Sequence, residues 1–172
     1  MPPASRPIPQ VDPLRPKSDW RRRLEKIGEL RLVGWFMMNV ATHIDPVLMR
    51  WSGGRVNLTN ADTIVVLHHV GAKTGKARQT PLLYFTEGDD VILVASATGA
   101  AKNPAWLHNI VANPDVELWV GQQGGRYRAR VATPEEKGAL WPKANALYAG
   151  FDLYQERAGE RDIPVVICSP SS

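Results

Sequence analysis

The chain has 172 residues, of which 44% are hydrophobic and 22% are charged, and its 21 Lys and Arg against 17 Asp and Glu give a formal net charge of +4. This length allows one compact domain with a substantial core, and the basic balance favours anionic ligands or surfaces without requiring nucleic acid. The single cysteine, Cys168, excludes an internal disulfide and is expected to be a buried structural thiol in a reducing, cytoplasmic compartment.

The N-terminal third divides into two predicted segments. Residues 1–17 lack the apolar stretch of a secretory signal and are predicted to be a disordered, proline-rich tail. Residues 18–60 are predicted to be helical, beginning with a helix capped by Ser18 whose basic face carries Arg21, Arg22, Arg23, Lys26 and Arg31. The apolar run that follows, residues 32–41, is too short to span a bilayer. The segment is interpreted either as a peripheral anchor on an anionic membrane or as a helix packed over one end of a barrel.

The pattern over residues 61–172 predicts a barrel domain. Short runs rich in Val, Ile, Leu and Tyr alternate with Gly- or Asp-bearing turns, which is typical of closely spaced antiparallel strands. One helix is predicted to run from Pro104 to Asn113, and another to begin with a capping box of Thr133 and Glu136. The predicted strands are residues 62–70, 79–86, 91–97, 116–120, 126–132 and 163–168. The sequence therefore predicts an α+β fold, a barrel of mostly antiparallel strands flanked by helices and preceded by an amphipathic helix.

Two segments combine cations with small and hydroxyl residues. The first, residues 70–81, holds three cations in one turn between two apolar runs, and its glycines allow the backbone to approach a ligand closely. The second, residues 96–106, repeats this chemistry after the next apolar run and adds the aromatic face of Trp106. Together the two segments suit a flat ring that carries an anionic tail.

The order of these motifs resembles the deazaflavin-dependent nitroreductase and quinone reductase family. The resemblance rests on Gly71-x-Lys73-Thr74-Gly75-x-x-Arg78-x-x-Pro81-Leu82, Val94-Ala95-Ser96, Lys102-Asn103-Pro104-x-Trp106-x-x-Asn109, Ala112-Asn113-Pro114 and Ile163-Pro164-Val165-Val166. It implies a split β-barrel that binds reduced coenzyme F420, an 8-hydroxy-5-deazaflavin with an anionic tail, and passes a hydride to a quinone, a nitroaromatic or an activated alkene.

The resemblance also implies which residues meet the cofactor. By their place in the motifs, the anionic tail is assigned to Lys73, Thr74, Arg78 and Thr80, with Ala72 and Gln79 as further cofactor-binding residues. One side of the ring is assigned to Val94, Ala95, Ser96 and Ala97, and the other side to Ala105, Trp106, Leu107, His108 and Asn109. The alternative for Lys73 and Arg78 is that they are solvated turn charges. Two positions depart from the family pattern, since Ala97 and Ala72 stand where a lysine and an arginine are common. FMN therefore remains the alternative cofactor.

The acceptor side is predicted to be aromatic. Tyr148, Phe151 and Tyr154 are spaced to reach one face of a bent helix or loop, and with Leu83 and Trp106 they are assigned to the substrate pocket. The alternative is that the aromatic residues are core. Ser96, Tyr148 and Tyr154, or water, are the candidate proton donors.

A metal site is not expected. His68 and His69 are adjacent in a predicted strand, so their side chains point to opposite faces and cannot chelate one ion. The sequence is thus interpreted as an F420H2-dependent oxidoreductase, monomeric or homodimeric. The alternatives are an FMN-dependent flavin reductase-like enzyme, a non-catalytic F420 or anionic-ligand binding protein, and a membrane-surface binding module.

Overall fold

A computed structural model describes residues 7–15 and 63–171. These residues form six strands, a short 3₁₀ turn and three helices. The strands are β1 (Ile64–Val70), β2 (Ala77–Glu87), β3 (Asp90–Val94), β4 (Asp115–Val120), β5 (Gln123–Val131) and β6 (Val165–Pro170). The helices are α1 (Ala105–Ala112), α2 (Pro134–Leu147) and α3 (Gly150–Ala158), and the 3₁₀ turn is Ala97–Gly99. The predicted amphipathic helix after Ser18 lies outside the described residues.

The six strands close into an antiparallel barrel in the order β1-β2-β3-β6-β5-β4. The register pairs Val65 with Leu82 and Leu93 with Val166, which places apolar side chains of neighbouring strands on the same inner face. The predicted antiparallel barrel with flanking helices is confirmed for the described residues.

Two hydrophobic clusters stabilise this barrel. The first fills its interior and contains Val65, Leu67, Tyr84, Leu93 and Leu118, closed at one end by the buried face of α1. The second lies outside β2, β3 and β6, where Phe85 and Ile92 pack under α2 and α3. Because β3 and β6 are covered on both faces, their residues are apolar on both sides, and this explains the continuous runs in the sequence.

Two predicted strand boundaries differ from the structure by three residues, and the others differ by two residues or fewer. Strand β3 ends at Val94 rather than residue 97, because Ala97 and Thr98 adopt positive φ of 48° and 53°, a left-handed conformation that no strand contains. Strand β5 begins at Gln123 rather than residue 126, since the hairpin turn occupies only Gly121 and Gln122.

The prediction of a disordered tail is wrong for Pro7–Leu14, which form an N-terminal strap on the barrel. The Ile8 side chain is 4% exposed and belongs to the interior cluster. The Thr86 N–H donates to the Val11 carbonyl over 3.0 Å, and the Tyr84 hydroxyl donates to the Pro9 carbonyl over 3.1 Å. The apolar side chains of Ile8 and Val11 find buried positions at the barrel end, and this offsets the cost of ordering the segment.

Candidate active site

The predicted site segments all lie at one end of the barrel. In an antiparallel barrel of this order, β1, β3 and β5 end where β2, β4 and β6 begin. The turn after β1, the connection containing α1 and the connection containing α2 and α3 therefore share this end, while the tight turns after β2 and β4 lie at the other. The topology thus brings together residues that are far apart in the sequence.

The anion turn, residues 71–80, is closed by its own backbone. The Gly71 N–H donates to the Lys76 carbonyl over 2.9 Å, and the Gly75 N–H donates to the Gly71 carbonyl over 2.8 Å. Gly75 has φ of +64°, a conformation in which glycine has no steric penalty. Lys73, Lys76 and Arg78 are exposed, and among the described residues none of them forms a salt bridge. The turn therefore presents three cations whose charge is available to an anion.

Asn109 joins α1 to this turn. Its Oδ1 accepts from the Ala72 N–H over 2.9 Å, so its Nδ2 is the atom that faces His69 Nδ1 at 3.1 Å. Since Nδ2 can only donate, Nδ1 of His69 must be unprotonated, and the ring proton lies on Nε2, which is 3.0 Å from Thr80 Oγ1. Burial, followed by the neighbouring charges of Arg78 and His68, lowers the pKa of His69 and supports the same neutral form. Asn109 therefore holds the turn, and its contact with a ring stays a prediction.

The loop between β3 and α1, residues 95–104, contains strained backbone. Ala97 and Thr98 both have positive φ, a conformation that costs a non-glycine residue about 1–3 kcal/mol and persists only when surrounding contacts fix it. The next residue, Gly99, has φ of +81°, and a Cβ there would lie 2.8 Å from the Tyr154 carbonyl oxygen. The loop thus packs directly on the backbone of α3.

Arg161 is the functional-site residue that the sequence analysis missed. Its Nε donates to the Ala100 carbonyl over 2.8 Å, one Nη donates to the Ser96 carbonyl over 2.7 Å, and the other Nη contacts the Ala95 carbonyl at 3.2 Å and Asn103 Oδ1 at 2.8 Å. One guanidinium therefore holds four acceptors of the β3–α1 loop. In the sequence it stands between Glu160 and Asp162 and is indistinguishable from a solvated charge run.

Several residues assigned to the ring have buried side chains. Val94, Ala95, Trp106 and Leu107 are 9%, 0%, 7% and 4% exposed. Their apolar side chains face the two clusters because each follows the pattern of its strand or helix. Ser96, Ala97, Ala105 and His108 are the predicted ring contacts that keep accessible surface, and the first N–H groups of α1 add donors that favour anions.

The aromatic residues of α2 and α3 form one cluster with different degrees of exposure. Phe151 is 4% exposed and lies edge-on to Tyr148, with ring centroids 5.4 Å apart, so it packs in the core, and its assignment to the substrate pocket stays a prediction. Leu83, half-buried, packs against the same outer cluster. Tyr148 is 41% exposed, and its hydroxyl is 3.2 Å from that of Tyr154.

This pair of hydroxyls is the exposed polar feature of the α3 cluster. Burial, with the hydrogen bond to Tyr148, raises the pKa of Tyr154 to about 12, so its hydroxyl stays protonated at neutral pH. The pair can therefore donate a hydrogen bond to a polar acceptor.

Grooves lie along the surface of the barrel. A groove of about 840 Å³ runs along β1, β2, β4 and β5 and reaches the anion turn at Arg78 and Gln79. A second groove of about 350 Å³ lies against the N-terminal strap. Neither of these grooves includes Tyr148 or Tyr154. No group of three or more metal-ligating side chains occurs in the described part of the chain, and none of the helices described is long and apolar enough to cross a membrane.

Comparison with known proteins agrees with this geometry. The model of the F420H2-dependent quinone reductase family matches residues 43–170. An F420H2-dependent quinone reductase of Mycobacterium tuberculosis is 37% identical over 125 residues, covering 70% of this chain and 83% of the relative. A solved F420H2-dependent reductase is 35% identical with a TM-score of 0.58, covering 62% of this chain and 94% of that chain. A solved domain-swapped dimer is 31% identical with a TM-score of 0.60, covering 76% of this chain and 96% of that chain.

The fold and the cationic turn at its helical end define a split β-barrel protein built for a ring with an anionic tail. The chain belongs to the F420H2-dependent quinone reductase family, and it is an oxidoreductase whose cofactor is F420H2. The resemblance found in its motifs is thereby confirmed. The exposed cations and the accessible backbone donors of the anion turn fit this cofactor.

Proposed function

We propose that this protein reduces a quinone at the end of the barrel that carries the anion turn and the helices α1, α2 and α3. The observation that carries the proposal is the anion turn itself, in which Lys73 and Arg78 are exposed without a salt-bridge partner among the described residues while Asn109 fixes the backbone beneath them. Charge-assisted hydrogen bonds to such a turn are worth about 1.5–3 kcal/mol each. Lys73 and Arg78 hold the tail, with Thr74, Gln79 and Thr80 as further donors.

When bound, F420H2 supplies a hydride, and a quinone that accepts this hydride and one proton becomes a hydroquinone. The chain orients the ring with Ser96, Ala97, Ala105 and His108, which remain accessible. On the acceptor side, the hydroxyls of Tyr148 and Tyr154 hold the quinone oxygen and supply the proton, with Ser96 as the other candidate donor. Tyr148 is the exposed member and is replenished from Tyr154 or from water.

The experiment is a fluorescence titration of F420 with wild type, Lys73→Ala, Arg78→Ala and the control Arg128→Ala. Arg128 is a suitable control because it is an exposed arginine whose ion pair is with Asp115 on the outer face of the barrel. We expect each turn variant to weaken binding about tenfold or more, because 1.4 kcal/mol is one decade of affinity. Equal affinities for all four proteins would remove the anion turn from the site, and preferential binding of FMN would favour the flavin reductase alternative.

The acceptor range and the assembly are further parts of the proposal. Nitroaromatics and activated alkenes are also acceptors if they reach the same hydroxyl pair, and a panel of the three classes tests this with Tyr154→Phe. An altered preference with unchanged F420 affinity assigns the tyrosine to the acceptor side, since tail contacts are elsewhere.

Because one solved relative is a dimer, we propose a homodimer in solution, which light scattering after gel filtration tests.

A further inference from the structure

The contacts of Arg161 point to a role that no motif indicates. Arg161 follows α3, and its own backbone is held from that helix, since Gln155 Nε2 donates to the Arg161 carbonyl over 2.8 Å and Gln155 Oε1 accepts from the Ile163 N–H over 2.9 Å. The Arg161 N–H also donates to the Ala158 carbonyl over 3.2 Å. The side chain therefore starts from a fixed point at the end of the acceptor-side helix.

From this point the guanidinium spans the strained part of the β3–α1 loop. Its acceptors, the carbonyls of Ser96 and Ala100, lie on either side of Ala97 and Thr98, the two residues with positive φ. A planar guanidinium presents five N–H donors in a fixed fork, and here four loop acceptors meet it at 2.7–3.2 Å. These hydrogen bonds hold the loop backbone in place and thereby allow its strained conformation to persist.

The loop leads directly into α1. Asn103, which accepts from Arg161, precedes Pro104 and the first helical residue Ala105. Arg161 therefore connects the end of α3, which carries Tyr154, to the loop and helix start that carry the accessible ring contacts. The Ala95 N–H also donates to the Pro164 carbonyl over 2.9 Å, and Gly99 packs on the backbone of α3.

We propose that Arg161 is a positioning residue of the reaction. It fixes the β3–α1 loop against α3 and thereby sets the distance between the residues assigned to the cofactor ring and the tyrosines assigned to the quinone. This inference rests on the proposed function for its catalytic part. Its effect is on kcat and on the order of the loop, because a reacting pair held about 1 Å out of place loses up to two decades of rate.

The test uses the full chain with Arg161→Met and Arg161→Lys, and with Arg128→Met as the control that removes the same charge elsewhere. Lysine keeps the charge but cannot reproduce the planar fork. Hydrogen exchange of the free protein is measured for residues 95–103 against residues 77–94. Quinone turnover and F420 affinity are measured on the same samples, and Arg161→Ala is assayed with millimolar guanidinium.

We expect exchange in residues 95–103 to rise about tenfold or more in both Arg161 variants while residues 77–94 stay protected, and kcat to fall about tenfold or more with a smaller change in quinone KM. Added guanidinium should recover part of the turnover of Arg161→Ala. Wild-type exchange in the loop, or an unchanged kcat, would overturn the inference. A rise in exchange spread evenly over the barrel would also overturn it, because that result shows a general structural role.

Failure of the proposed function gives a different result. If wild type neither binds F420 nor reduces quinones, the proposed function falls, while the exchange data on the free protein still report whether Arg161 fixes the loop. Arg161→Lys keeps the test available if Arg161→Met does not fold.

Discussion

Replacing Asn109 by leucine tests the link between α1 and the anion turn. Leucine keeps the branching of the side chain and is favourable in a helix, so the main loss is that of the two hydrogen bonds at 2.9 and 3.1 Å. The Ala72 N–H belongs to an exposed residue and regains water, which limits its loss to about 0.5–1.5 kcal/mol.

Most of the expected loss of stability arises at His69. Its side chain is buried, with 5% of the residue exposed, and in either neutral tautomer one ring nitrogen would lose its partner. An unsatisfied buried group costs about 1–3 kcal/mol. We therefore expect the free energy of unfolding to fall by about 2–4 kcal/mol, and Tm by roughly 5–15 °C for a chain of this size.

Urea unfolding at pH 7 measures this change, with Asn113→Leu as the matched control. Asn113 follows the same helix, and its Nδ2 makes a single long contact of 3.5 Å to the Val70 carbonyl in an exposed setting. The control should lose less than about 1 kcal/mol. Equal losses for the two variants, or a loss below about 1 kcal/mol for Asn109→Leu, would refute the assignment of Asn109 as a bridge.

Four further predictions concern other parts of the chain. Because burial lowers the pKa of His69 in the folded state, the unfolded state binds more protons near its own pKa of 6.5. The free energy of unfolding should therefore be highest above that pH and decline as the pH falls through it, and the decline should be smaller in His69→Gln. A flat stability profile from pH 7.5 to 5 would contradict this prediction. Gly99→Ala should destabilise by about 2 kcal/mol or more, whereas Gly88→Ala, which has φ of +59° and open space around its Cβ, should cost only the strain of about 1 kcal/mol; equal melting temperatures would argue against the contact with α3. Burial raises the pKa of Cys168 to about 12, so a maleimide should label it only after unfolding, and rapid labelling of the native protein would show an open barrel. Deleting residues 16–40 should abolish salt-sensitive sedimentation with anionic vesicles, and a full chain that stays in the supernatant would leave that segment as a packing element.

The sequence was informative where hydrophobic pattern and local capping decide the structure. All six strands were predicted because runs of Val, Ile and Leu are buried on at least one face, and the capping box of Thr133 and Glu136 is formed as expected. Both bonds of that box involve residues three positions apart, so the sequence alone contains the information.

Features that depend on long-range contacts or on tertiary packing were not predicted from the sequence. Arg161 acts on acceptors 58–66 positions away, and no local pattern distinguishes its donors from those of a solvated arginine. Phe151 and Tyr148 are both aromatic, and only the tertiary packing around α3 decides which of them is buried in the core. Ile8 resembles part of a tail until the barrel end that receives it is known. These residues are determined by tertiary packing, which overrides local propensity.

The N-terminal strap contacts barrel residues that are far away in the sequence. Val11 and Thr86 are 75 positions apart, so docking the strap closes a large loop, whose entropic cost grows as about (3/2)RT ln n. Contacts between residues so far apart in the sequence form late in folding and break early in unfolding. The strap is therefore expected to detach first when this end of the barrel partly unfolds. Shortening residues 15–62 to about one third of their length would lower the closure cost by about 1 kcal/mol. Variation in residues 15–62 can therefore tune how tightly Ile8 is held, and hence the folding rate and the lifetime of the closed barrel, without changing a residue of the active site.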